Sequence, residues 1–152
     1  MDKVDKQMEK RVWQRVQSRQ STPAPLLRQE SLKPWILVAQ ETTAVLRSLQ
    51  LQLIGKQWDG LRQLERDSSR MVHTLRGISN LQGVPVRLSP IPTPKEPPRR
   101  ALEKSFHRTR RLRDELERRC TEEEYGLVFR NLAQKCEEMC TSLAEMIGRL
   151  EN

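Results

Sequence analysis

Aromatic residues are nearly missing from this 152-residue chain, which has only Trp13, Trp35, Trp58, Phe106, Tyr125 and Phe129. β-Branched residues are sparse too, while Leu, Glu, Arg, Lys and Gln dominate. A pleated sheet fills its faces with the first two classes, whereas helix surfaces accept long charged side chains at little cost. A β fold is excluded and an all-α fold is expected. Long apolar runs are also lacking. The longest, Trp35 to Ala39, falls far short of the roughly 20 residues of a membrane helix, so no membrane partner is expected. Cysteine is limited to Cys120, Cys136 and Cys140, an odd number, and the opening MDKVDKQMEK carries charge where a leader would be apolar. A reducing, cytoplasmic setting is the expectation.

Charge is abundant and uneven. The net charge is +8. Residues 1–19 carry six Lys/Arg against three acids, and residues 99–119 carry nine against four. Residues 122–152 are acidic on balance. The excess is therefore a tail and one helix, which reads first as a solvated face. Polyanion binding through the Arg-rich third helix is a third, lesser reading. No aromatics are interleaved for base stacking, so nucleic acid is disfavoured as a partner.

Periodicity divides the chain. Val4, Met8, Val12 and Val16 make a thin helical stripe in an arm over residues 1–26, closed by STPAP. A first long helix is expected from Leu27 or Ser31 to Ile54, with Ile36, Ala39 or Gln40, Thr43, Leu46, Leu49 and Leu53 inward. A second runs over 57–81, with Trp58, Leu61, Leu64, Ser68, Met71, Val72, Leu75 and Ile78 inward. Six prolines between Pro85 and Pro98 then forbid a helix over about 82–98 and predict an extended crossover. A third helix is expected over 98–119, with Leu102, Phe106, Thr109, Leu112 and Leu116 inward. Thr121 and Glu124 form a capping-box pattern ahead of a fourth, over 122–150. Its stripe is Val128, Leu132, Cys136, Met139, Cys140, Leu143, Met146, Ile147 and Leu150. Residues 27–152 thus read as a four-helix bundle of two antiparallel helical hairpins, joined by one long crossover.

The segments LKPWILVAQETTAVLRSLQLQL, LRQLERDSSRMVHTLRGI and EEEYGLVFRNLAQKCEEMCTSLAEMIGRL resemble small bacterial ferritin-like proteins of the rubrerythrin diiron-domain type. The resemblance covers about residues 31–150, and MEKRVWQRVQ resembles the arm before that domain. It implies a ferritin-like four-helix bundle. In that family two helices each give one Glu and two give a Glu-x-x-His pair, all inward, because positions i and i+3 share a face. The matching positions here are Ala39, Ser68 with Met71, Thr109, and Cys136 with Met139. None is Glu or His, so the diiron chemistry is not carried over, and no metal ligand and no catalytic residue is expected.

Other residues do not rebuild the site in this reading. Glu41 is a rim carboxylate, His73 and His107 flank the stripes, and Asp114, Glu115 and Glu117 suit pairing with arginines on their own helix. The sharp alternative is a soft-metal site of Met71, Cys136, Met139 and Cys140, since thiolate and thioether ligands select Cu(I)-like ions. Cys and Met are also ordinary core residues. The leading expectation is a non-catalytic structural or interaction module, with a homo-oligomer or a protein partner and no cofactor. The alternative is a metal-binding or oxidoreductase-type protein holding iron or a soft metal.

Overall fold

The helical periods beyond the arm become four helices in the computed structural model, which describes residues 31–53 and 60–151. These are α1 (Lys33–Gln52), α2 (Gly60–Leu81), α3 (Pro98–Arg118) and α4 (Gly126–Glu151). No strand occurs among the described residues, so the content is that of an all-helical four-helix bundle. Lys33–Asn152 form one compact unit that holds all four helices. The arm expected over 1–26 lies outside the described residues, as do Leu27, Ile54 and Trp58.

Local chemistry sets the helix ends. Pro98 opens α3, where a missing N–H is harmless and φ is already helical. The Ala101 N–H then donates to the Pro97 carbonyl at 3.0 Å. At the far end of α2, Gly83 takes φ +79°. That left-handed turn lets the Gly83 N–H reach the Asn80 carbonyl at 3.0 Å and the Val84 N–H reach Ser79 at 2.9 Å, closing the helix. Residues 82–97 form no helix, as their prolines require. This strap buries Val86 and lends its Ser89 carbonyl to the Gln40 side-chain amide at 2.7 Å.

α1 packs on α2 and α3, and α4 packs on the same two. The α2 stripe is buried at every described position expected, from Leu61 to Ile78. Leu53, expected inward, lies just past α1 and is only half-buried, and two further stripes need correction. In α3, Ser105 is buried, while Phe106 is half-exposed. In the first turns of α4, Phe129 and Ala133 face inward in place of Val128 and Leu132.

The second correction has its cause at one end of the bundle. Phe129 meets Trp35 edge to face, with centroids 5.5 Å apart, and the Arg119 guanidinium lies over both rings at 5.0 and 5.1 Å. Such ring pairs and cation–π contacts outweigh the burial of one more Val. Arg119 also pairs with Glu122. Residues 119–125 are thereby held as a turn, and α4 starts at Gly126 rather than Glu122, so the Thr121 capping box is not used. The acids of α3 depart from expectation as well. Glu115 accepts the Trp35 indole N–H at 2.6 Å, and Asp114 pairs with adjacent Arg113 at 2.9 Å. Only Glu117 acts on Arg113 from one turn away.

Gly126 is required by close approach. A Cβ there would lie 2.4 Å from the Cys120 carbonyl oxygen, a backbone atom that cannot swing aside. Gly126→Ala should destabilise the protein by about 2–3 kcal/mol. Urea unfolding followed by circular dichroism measures this, and an unchanged midpoint contradicts the tight turn.

Candidate functional site

The six positions singled out by the resemblance are all buried. Ala39 is 3% exposed, Ser68 0%, Met71 2%, Thr109 2%, Cys136 0% and Met139 2%. Each helix contributes through its apolar stripe, so burial follows from the 3.6-residue period. Ser68 and Met71 lie one turn apart on α2, and Cys136 and Met139 one turn apart on α4.

Two contacts organise this centre. The Ser68 hydroxyl donates to the Ala39 carbonyl at 2.9 Å, crossing from α2 to α1. The Thr43 Oγ1 lies 2.8 Å from both the Ser68 Oγ and the Ala39 carbonyl. Each hydroxyl has one proton, so Ser68 donates to Ala39 while Thr43 donates to one of its two neighbours. The second contact is between sulfurs. The Cys136 thiol sits 3.8 Å from the Met71 thioether, joining α4 to α2. Cys140, by contrast, directs its thiol to the Phe106 carbonyl at 3.8 Å on α3. The four candidate soft-metal residues are thus only partly assembled: Met71 and Cys136 touch, while Cys140 is engaged elsewhere.

The remaining titratable candidates lie outside this centre. Glu41 is half-exposed, with Arg108 of α3 at 3.8 Å. His73 and His107 are exposed. Among the described residues, no group of three or more His, Cys, Asp or Glu is placed to hold a metal ion. Neither a family model nor a characterised protein nor a solved structure matches the chain.

The donor chemistry does not suit the diiron centre that the resemblance implies. Ala39 has no donor, the Ser68 hydroxyl is engaged with a carbonyl, and the sulfurs are soft ligands where iron in that family takes carboxylate and imidazole. The bonding pattern that Thr43 completes was missed by periodicity, which marks a buried position without saying what its hydroxyl meets.

Burial pushes the Cys136 thiol up to about 12, with the adjacent Cys140 adding to the effect. Burial likewise raises Cys140. At neutral pH both are thiols, poor nucleophiles and poor ligands until deprotonated.

Two predictions follow from this chemistry. The unfolded chain releases the Cys136 proton near the ordinary thiol pKa of about 8.5, and the folded chain retains it toward 12. Its contribution to stability is therefore complete below about pH 8.5 and declines as pH rises above it. Urea midpoints between about pH 8 and pH 10.5 should fall less in Cys136→Ala than in the unaltered chain; parallel curves contradict the buried thiol. Ser68→Glu should lower stability on the order of 3 kcal/mol, because a carboxylate at a position 0% exposed loses its hydration. Thermal unfolding near pH 7 reports it, and an unshifted Tm speaks against the sealed centre.

Proposed function

We propose that the chain is a non-catalytic, cytoplasmic member of the ferritin-like, rubrerythrin-type bundles, acting as a structural or interaction module. The observation that carries this reading is the chemistry of its centre. Six positions matching the family's ligands are buried, none is Glu or His, the Ser68 hydroxyl is bonded to a backbone carbonyl, and the Met71 and Cys136 sulfurs meet each other. Buried carboxylates without a metal repel and lose hydration. A bundle built for contact and not for chemistry is stabilised by small and apolar residues at those places.

The order of contacts supports the ferritin-like connectivity. Residues 43, 47 and 50 of α1 meet 68, 65 and 65 of α2, and residues 106 and 113 of α3 meet 140 and 137 of α4. Numbers rise on one helix as they fall or hold on the other, as in two antiparallel hairpins. The 82–97 strap then carries the chain between them.

A second reading rests on the 3.8 Å approach of Met71 to Cys136, which would place a thioether and a thiolate on one soft cation. One experiment separates the two. Protein purified with iron present and analysed by plasma emission should carry far less than one iron per chain. About two irons per chain, the stoichiometry of the family's centre, overturns the proposal. Anaerobic titration with Cu(I) that saturates at one equivalent, and is lost in Cys136→Ala, moves it to the second reading.

A further inference from the structure

We propose that the outer face of α3 is a docking ridge for the phosphodiester backbone of double-stranded nucleic acid. Arg100, Arg111 and Arg118 are spaced 11 and 7 residues apart, near multiples of 3.6, so they lie on one line opposite the buried Leu102, Thr109 and Leu116. From Arg100 to Arg118 that line runs about 27 Å at 1.5 Å per residue. Lys104, His107 and Asp114 fall on it and Arg110 beside it, with His107, Asp114 and Arg110 exposed.

What distinguishes this ridge from a solvated face is where its acids are engaged. Glu103 is held by Arg99 at 3.3 Å, Asp114 by Arg113, Glu115 by the Trp35 indole, and Glu96 of the strap by Lys104, while exposed Glu117 acts on Arg113 from one turn away. Among the described residues, Arg100, Arg110, Arg111 and Arg118 enter no ion pair. Seven of the eight cations of α3 are arginines. Arginine's planar fork binds phosphate in bidentate fashion, where a merely solubilising face does as well with lysine.

The surroundings select the partner. No large exposed hydrophobic residue lies on α3, and its apolar side is buried within the bundle, so the helix has nothing to insert into a lipid surface. The ridge also bears no Trp, Tyr or Phe: Phe106, the nearest, is half-buried and packs edge to face on His107 with centroids 5.4 Å apart. Without a stacking platform it suits a paired backbone better than unpaired bases. Four cations with no base-reading partner predict binding that ignores sequence. This deepens the interaction-module reading without depending on the metal question: iron binding would overturn that reading and leave the ridge untouched.

The test is fluorescence anisotropy of a labelled 30-base-pair DNA duplex titrated with the full chain at several salt concentrations. A steep salt dependence is expected, with Arg100→Gln/Arg110→Gln/Arg111→Gln/Arg118→Gln reducing its log–log slope by about 3–4 and Arg111→Gln or Arg118→Gln alone by about 1. Affinity should fall at least tenfold in the fourfold variant and stay within threefold in Arg62→Gln/Arg66→Gln, which removes charge from α2. Two unrelated duplex sequences should bind alike. The proposal is overturned by absent binding at low salt, by a fourfold variant of native circular dichroism that binds as well as the unaltered chain, or by preference for phosphatidylserine vesicles or polyglutamate over the duplex. The single variants decide the matter if the fourfold one fails to fold.

Discussion

Two hydroxyls and one carbonyl at the middle of the α1–α2 contact set the frame for the rest of the unit. Ser68 and Thr43 are buried in an apolar interior, where an unpaired hydroxyl costs about 1–3 kcal/mol. They avoid that cost by converging on the Ala39 carbonyl, which is reachable because alanine leaves room for α2 to come close. A slip of either helix along the other would strand Ser68, while Thr43 would keep its bond to Ala39 within α1. The bond therefore selects one register, and hydrophobic stripes alone, being tolerant of small shifts, do not.

That register has a consequence one turn further along α2. With Ser68 turned to α1, Met71 is carried toward α4 and into contact with Cys136. The centre is thus polar toward α1 and soft toward α4, and each half is locally satisfied. The aromatic end works by the same logic with larger groups. Trp35 offers a ring to Phe129 and a proton to Glu115, and Arg119 covers both rings. One indole thereby ties α1 to the end of α3 and the start of α4. It also explains why the turn after α3 runs to residue 125: the chain must bring Phe129 under Arg119 before the helix settles.

The stripes of α2 and the middle of α4 were legible because their apolar residues, single or in the adjacent pairs Met71–Val72 and Met139–Cys140, recur on one line flanked by polar residues, leaving a single phase. The start of α4 was not. Val128 with Phe129, and Leu132 with Ala133, offer two adjacent apolar lines, and a one-residue change of phase rotates the helix by about 100°. Only the distant Trp35 decides between them. Ser105 and Phe106 pose the same problem in α3, where close helix packing buries the smaller residue and leaves the ring at the edge. The burial of Ala39, Ser68, Met71, Thr109, Cys136 and Met139 could be read from periodicity. Their partners could not, since the Ser68–Ala39 and Cys136–Met71 contacts span 29 and 65 residues.

Charge placement follows from how the centre and the aromatic end are built. Glu115, which by position in the sequence would neutralise the arginines around it, faces Trp35 instead, because the buried end of an indole N–H demands an acceptor and a carboxylate is the strongest one within reach. Arg113 turns the other way, toward Asp114 and across to Glu137 of α4. The Glu115 bond joins two helices and removes a countercharge from the outer line of α3, while Asp114 on that line is paired with a cation lying off it. The positive ridge is then a product of interior bonding as much as of composition. A chain with the same count of Arg and Glu, but with Glu115 free to pair along its own helix, would show a more neutral face.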